Sequence, residues 1–205
     1  MLVIGIAGGI ASGKSSAAKC FERLGATVLN ADLMGHQVLY EPEVKQKILE
    51  NWGEKVFKEG EVDRSALARV VFDPASTASE LAKLEQITHP IIGQRMGSLL
   101  AQLEMANVPA AVLDAPVMFK AGWDRFCDKI VFVHTDLKTR RQRVAKRGWS
   151  AGELSRREAQ QVELETKRSL ATDQVDNSLS KEEFFLQIET LWRRWRLPVP
   201  ESKPT

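Results

Sequence analysis

A glycine-rich segment near the start of the chain carries the residues best suited to chemistry. Gly8-Gly9-Ile10-Ala11-Ser12-Gly13-Lys14-Ser15 fits the phosphate-binding loop pattern of glycine, four residues, glycine, lysine and serine or threonine. Glycines let successive backbone N–H groups approach phosphate oxygens that side chains would otherwise block. Lys14 can reach the β- and γ-phosphates, and the Ser15 hydroxyl can ligate Mg²⁺. We therefore expect a nucleoside triphosphate to contact Gly9, Ile10, Ala11, Ser12, Gly13, Lys14, Ser15 and Ser16.

The elements on either side of this loop support that interpretation. Residues 2–7 form a short apolar run typical of a buried strand. Ala17, Ala18, Phe21 and Leu24 recur at helical spacing behind the loop. A helix in this position presents its N-terminal N–H groups and the positive end of its dipole to the phosphates. The alternative, a glycine-rich turn that binds nothing, is disfavoured by a strand before it and a helix after it.

Two carboxylates follow predicted strands. Asp32 comes directly after a strand-like segment at 26–31, and Asp114 is the last residue of another at 109–114. Ligands bind at the carboxyl ends of strands in open α/β sheets, so both side chains are expected near the loop. Asp32 fits either a catalytic role or the N-cap of a helix over 33–39, and the two roles are compatible. Asp114 fits either a Mg²⁺ ligand or a turn residue before Pro116.

The remaining pattern predicts two more strands, a helical insertion and a mobile lid. Residues 129–134 and 174–177 are strand-like, and apolar residues from 184 to 195 indicate a last helix that packs on the sheet. Residues 41–109 show helical spacing without strand alternation, with a turn-rich segment at 53–60, and Pro90 either kinks that pattern or begins a new helix. Arginines and lysines crowd 136–168, which is typical of a lid over phosphates, although most of them are expected on a solvated face.

Composition limits the class of protein. The 205 residues suffice for one full core, and a net charge of +2 is too small to indicate nucleic acid or an anionic membrane as partner. Cys20 and Cys127 lack metal-ligand spacing and fit a reducing compartment. The N-terminal apolar run is too short for a signal peptide, and nothing resembles a membrane span. We expect a cytoplasmic protein that is a monomer or a weak homo-oligomer.

The chain resembles the dephospho-coenzyme A kinase family over almost its whole length, and several segments carry the resemblance. They are the loop with its preceding strand, Asn30-Ala31-Asp32, Val62-Asp63-Arg64, Val71-Phe72, residues 84–91 with Thr88-His89-Pro90, Arg143 and Arg147, residues 157–161, and Asp176-Asn177. The resemblance implies transfer of the ATP γ-phosphoryl group, with Mg²⁺, to the ribose 3′-hydroxyl of dephospho-coenzyme A, which is the last step of coenzyme A synthesis. ATP and dephospho-coenzyme A are thus the expected partners.

The same resemblance implies roles for individual residues. Lys14, Asp32, Arg143 and Arg147 would be catalytic, with Asp32 taking or orienting the hydroxyl proton and the arginines closing over the transferring group. Arg64, His89 and Arg157 would join Asp32 in binding the acceptor, although His89 also fits a helix-start residue bonded to nearby backbone. Ser15 and Asp114 would hold the metal.

These interpretations predict an α/β P-loop kinase fold with a five-stranded parallel sheet flanked by helices. The nucleotide-binding core would comprise 1–32, 106–135 and 170–200, with a helical substrate-binding insertion at 33–105 and an arginine-rich lid at 136–169. Ala11, Asn30, Lys120 and Thr172 depart from the family pattern, and Lys120 reverses the charge that is common at its position. Another small P-loop kinase, or a nucleotide-dependent switch without transfer to a small molecule, stays open as an alternative.

Overall fold

The computed structural model describes residues 1–72, 78–159, 161–178 and 180–198. Its strands are β1 (Leu2–Gly8), β2 (Thr27–Asn30), β3 (Phe57–Lys58), β4 (Glu61–Val62), β5 (Ala110–Asp114), β6 (Lys129–His134) and β7 (Asp173–Asp176). Its helices are α1 (Lys14–Arg23), α2 (Ala31–Val38), α3 (Pro42–Trp52), α4 (Arg64–Val71), α5 (Ala78–Met105), α6 (Leu137–Ala145), α7 (Ala151–Glu158), α8 (Leu164–Ser169) and α9 (Lys181–Arg194). Short 3₁₀ helices lie at Glu54–Val56 and Trp123–Phe126.

Five parallel strands form the main sheet in the order β2-β5-β1-β6-β7, which confirms the predicted sheet. β1 lies at its centre, where Leu2 pairs with Ala110 of β5 and Ile4 pairs with Lys129 of β6. The strands were recognisable because parallel strands are covered on both faces and therefore become continuous apolar runs. All residues of β5 are buried, and so are Val3–Gly8 of β1.

The last helix packs on the sheet, as its apolar stripe predicted, and also on the helix behind the loop. Phe21 of α1 lies 6.4 Å from Trp192 and 6.0 Å from Trp195, measured between ring centroids. Trp192 is fully buried, and its indole N–H donates to the Pro198 carbonyl at 2.9 Å. These contacts join apolar residues of β1, β5, β6 and β7 in one core, so α1 is held firmly where it meets the loop.

The chain divides into two compact units. One comprises Met1–Asn30 and the chain from Leu100 onward, and the other is Ala31–Leu99. The second unit contains α2, α3, α4 and the β3–β4 pair, together with most of α5, and has its own apolar core. Fully buried members of that core are Val44, Ile48 and Val56. Residues 73–77, 160, 179 and 199–200 of the predicted domains lie outside the described residues.

The second unit corrects three sequence predictions. The turn-rich segment predicted at 53–60 contains β3, which pairs with β4 as an antiparallel hairpin. The prediction that residues 41–109 contain no strand was therefore wrong. Pro90 lies inside the continuous helix α5, so no new helix begins there, and His89 lies within that helix and not at its start. Asp32 lies in the first turn of α2, which begins at Ala31, and is therefore not an N-cap.

No helix within the described residues is both long enough and apolar enough to span a bilayer.

Candidate active site

The loop between β1 and α1 has the backbone of an anion cradle. Gly8 and Gly13 have φ values of 147° and 101°, and a Cβ on Gly13 would lie 1.9 Å from the Asn177 amide nitrogen. Glycine is therefore required at Gly13. The Ser12 carbonyl accepts hydrogen bonds from the Thr135 hydroxyl at 2.8 Å and from the Asn177 amide at 2.7 Å. These bonds fix the loop through a carbonyl and use none of its N–H groups.

Lys14 folds back along this loop. Its Nζ donates to the Gly8 carbonyl at 3.2 Å and to the Gly9 carbonyl at 2.9 Å. Burial, together with the positive charge of Lys167, lowers the pKa of Lys14 to about 8, although the charges of Asp114 and Glu158 act in the opposite direction. The ammonium group is thus held in a place where added negative charge would be favourable.

Ser15 and Asp114 form a pair of oxygen donors at the start of α1. The Ser15 hydroxyl donates to Asp114 Oδ2 at 3.3 Å, and Asp114 is buried at the end of β5. Hydroxyl and carboxylate oxygens suit Mg²⁺, which takes few protein ligands and completes its octahedron with waters and substrate phosphates. Within the described residues no cluster of three or more His, Cys, Asp or Glu side chains could hold a metal. The chemistry of the two side chains fits a magnesium ion, and their role as its ligands stays a prediction.

The predicted lid arginines differ in what they contact. Arg143 donates to the carbonyls of Ala11 at 3.1 Å, Ser12 at 3.2 Å and Asn177 at 2.8 Å. It therefore holds the backbone of the loop. Arg147 is exposed just beyond the end of α6.

Arg157 makes its contacts on the lid itself. Its guanidinium lies 3.9 Å from the centroid of the Trp149 ring and 2.8 Å from Glu153 Oε1. The Trp149 ring and the Glu153 carboxylate thus fix the orientation of the Arg157 guanidinium on α7.

Sequence reasoning missed three further charged residues near the loop. Arg140 of α6 is 6% exposed and forms an ion pair with Glu158, the last residue of α7. Glu158 Oε1 also accepts a hydrogen bond from the Ile10 N–H at 3.3 Å. Lys167 of α8 is buried, donates to Gln161 at 2.7 Å and acts electrostatically on Lys14. Residues 140, 143 and 147 share one helical face, and that spacing could have singled out Arg140.

The family-model comparison identifies the class of protein. Residues 2–183 match the family model described as dephospho-CoA kinase. The chain belongs to the dephospho-CoA kinase family. This confirms the predicted family, and with it the prediction of an ATP-dependent phosphotransferase that phosphorylates dephospho-CoA.

Individual relatives agree with the dephospho-CoA kinase assignment. The chain is 36% identical over 196 residues to the dephospho-CoA kinase of Geobacter metallireducens, covering 94% of this chain and 96% of that one. The crystal structure of TT1252 from Thermus thermophilus superposes with a TM-score of 0.79 at 30% identity, covering 95% and 97% of the two chains. The dephospho-CoA kinase structure from Campylobacter jejuni shares the fold, with a TM-score of 0.71 at 23% identity over 94% and 96%. The predicted P-loop kinase fold is confirmed.

Several departures from the dephospho-CoA kinase pattern now have a structural description. Ala11 has a φ of 60°, a left-handed conformation in which alanine costs about 1 kcal/mol relative to glycine. Thr172 bridges two strands, since its Oγ1 lies 3.1 Å from the Ile130 N–H and 2.8 Å from Asp173 Oδ2. Asn30 pairs in register with Asp114, and Lys120 is exposed in the segment after β5.

The residues predicted to bind the acceptor of a dephospho-CoA kinase lie in the second unit, apart from Arg157. Asp32 is exposed in the first turn of α2, and His89 is half-buried in α5. Arg64 opens α4 immediately after Asp63, whose carboxylate caps that helix. One Arg64 nitrogen lies 2.7 Å from Nε2 of His36, a residue that sequence reasoning had passed over.

Proposed function

We propose that this protein transfers the γ-phosphoryl group of ATP to the ribose 3′-hydroxyl of dephospho-CoA, giving CoA and ADP. One observation carries the proposal: Lys14, Ser15 and Asp114 lie together at the phosphate loop of a chain that belongs to this family. Lys14 supplies a buried positive charge, and the two oxygen donors suit the metal ion of a metal-bound triphosphate. Catalysis of phosphoryl transfer consists largely of positioning and electrostatic stabilisation, which these residues supply.

Lys14 takes up the charge of the β- and γ-phosphates. On binding, its ammonium group exchanges the carbonyls of Gly8 and Gly9 for phosphate oxygens. Ser15 and Asp114 would hold the metal, and Mg²⁺ would supply positive charge that offsets the charge of the phosphates. Arg143 keeps the loop in shape through its carbonyls, and Arg147 closes over the transferring group.

Asp32 is proposed as the general base. Its carboxylate accepts the proton of the 3′-hydroxyl as that oxygen forms a bond to the γ-phosphorus, while the bond from the bridging oxygen to the γ-phosphorus breaks and ADP leaves. The support is its place in the chain, since Asp32 follows β2 by two residues and β2 ends in register with Asp114.

The roles of the insertion and the lid stay a prediction from the sequence. The acceptor would be held by the insertion at 33–105 through Arg64 and His89, and the lid at 136–169 would contribute Arg157. Closure of a lid excludes water, which would otherwise hydrolyse ATP. A cytoplasmic location and a monomer or weak homo-oligomer complete the proposal.

Measuring ADP release from the purified protein with and without dephospho-CoA tests this function. We expect turnover that depends on both Mg²⁺ and the acceptor, and a product whose mass has increased by one phosphoryl group. CoA is the matched control acceptor, because its 3′-oxygen already carries a phosphate and it should support no turnover. Turnover with a different nucleotide or metabolite only, or slow hydrolysis insensitive to every acceptor, would replace this proposal with another kinase or a nucleotide-dependent switch.

A further inference from the structure

The carboxylate of Glu158 lies against the backbone of the phosphate loop at Gly9 and Ile10. It accepts a hydrogen bond from the Ile10 N–H at 3.3 Å and pairs with the Arg140 guanidinium. A Cβ on Gly9 would lie 3.2 Å from Glu158 Oε1 and 2.7 Å from Arg140 Nη1, so both groups lie directly against the loop backbone. A carboxylate held by a loop N–H and an arginine reproduces the contacts that such a site offers a phosphate oxygen.

The position of Lys14 shows which end of the loop Glu158 covers. In phosphate loops the lysine reaches the β- and γ-phosphates. Here Lys14 Nζ lies on the carbonyls of Gly8 and Gly9, the residues immediately before Ile10. Glu158 therefore covers the end that receives the terminal phosphate, whereas the N-terminus of α1 lies at the other end of the loop.

Arg140 is the buried arginine at that end. It is 6% exposed, and its Nε has no hydrogen-bond partner among the described residues. A buried guanidinium is costly without an anion, and Glu158 supplies that anion through the ion pair with Arg140. The guanidinium of Arg143 is engaged by backbone carbonyls of the loop and of Asn177.

We propose that Glu158 is a displaceable internal anion that competes with the terminal phosphate of ATP, and that Arg140 passes from Glu158 to that phosphate. The inference rests on the proposed function in that its ligand is ATP. ADP lacks the terminal phosphate and leaves the ion pair in place. Arg140 thereby becomes a further residue that contacts the transferring group, and Glu158 sets how strongly the enzyme prefers ATP over ADP.

Isothermal titration of ATP and ADP into the full chain, without acceptor, tests the competition. Glu158→Gln should tighten ATP binding by about tenfold, the size expected for removing one competing charged hydrogen bond. ADP affinity should change by less than about threefold, because ADP does not displace the carboxylate. Glu153→Gln is the matched control, since it makes the same exchange on α7 at a residue that pairs with Arg157. An unchanged or lowered ratio of ATP to ADP affinity in Glu158→Gln would overturn the inference.

The arginine is tested in the same titration. Arg140→Lys should weaken ATP binding about tenfold more than ADP binding, because a lysine keeps the charge but not the fork of donors. Arg141→Lys on the exposed face of α6 is its control. Equal losses for ATP and ADP would show that Arg140 only supports the fold.

Hydrogen exchange on the wild-type chain gives a result that needs no variant. Backbone amides in 151–159 should exchange faster with ATP bound than with ADP bound, because Glu158 then leaves the loop. Equal protection with the two nucleotides would overturn the inference. A wild-type chain that binds ATP but does not phosphorylate dephospho-CoA would refute the proposed function and leave this competition standing.

Discussion

Replacing Lys14 with methionine should stabilise the nucleotide-free protein while abolishing ATP binding. The pKa of Lys14 falls from 10.5 to about 8 on folding, and at 1.36 kcal/mol per unit this is a cost of about 3 kcal/mol for the charged form. Methionine removes that cost and also two hydrogen bonds to the carbonyls of Gly8 and Gly9, at about 1 kcal/mol each. The net gain is about 1 kcal/mol, which raises Tm by about 2–4 °C for a chain of this length.

The pH dependence of this gain identifies its cause. Because the folded pKa of Lys14 is lowered, the unfolded chain binds the additional proton between about pH 8 and 10.5. Wild-type stability therefore rises relative to the variant through that window. The advantage of Lys14→Met is full below pH 8, is lost within the window, and by pH 10.5 has become a deficit, because only the two lost hydrogen bonds then separate the proteins.

Urea denaturation at pH 7 and pH 10, followed by tryptophan fluorescence, measures the free energy of unfolding. Lys19→Met, at an exposed position on the same helix, is the control and should change stability little at either pH. A Lys14→Met protein that is less stable than wild type at pH 7, or whose advantage is the same at pH 10, would refute the reasoning. Retained ATP binding in that variant would refute the assignment of the loop.

Three further predictions follow from the site and the core. Asp32→Asn should lower turnover by about 10²–10⁴ with ATP affinity nearly intact, and a loss confined to ATP binding would assign Asp32 to metal ligation instead. Asp114→Asn should raise the Mg²⁺ concentration for half-maximal turnover by about tenfold, and an unchanged Mg²⁺ titration would remove Asp114 from the metal site. Burial raises the pKa of Cys127 to about 12, so iodoacetamide at pH 8 should leave Cys127 unmodified in the native protein and alkylate it in urea.

The parts of the fold that the sequence predicted well are those where one local pattern decides the structure. β6 was predicted with its observed bounds because a covered parallel strand is a continuous apolar run between polar residues. The hairpin of β3 and β4 was missed because two-residue strands are too short to show alternation. Pro90 is accommodated inside α5, a result that propensity alone does not predict.

The candidate site shows the same division between local and distant causes. The loop residues were predicted because their chemistry is contained in eight consecutive positions. The sequence placed Arg140 among the arginines of a solvated segment. Arg140 is buried because Glu158, from another helix, pairs with it. His36 was missed for a similar reason, since its contact with Arg64 joins two helices of the second unit. Such pairs are set by tertiary packing, so spacing within one element can single out Arg140 but cannot identify its partner.

The central place of β1 in the sheet bears on how the protein is made. Leu2 pairs with Ala110, and the other neighbour of β1 is β6, so about 100 residues must be synthesised after this strand before it has either partner. Until then its apolar residues and unpaired edges are exposed to other nascent chains, which is the condition that favours aggregation. A cell that overproduces this enzyme should therefore depend on chaperones that shield the unpaired strand as it leaves the ribosome. The strand that supports the nucleotide loop is thus the one that waits longest for its neighbours.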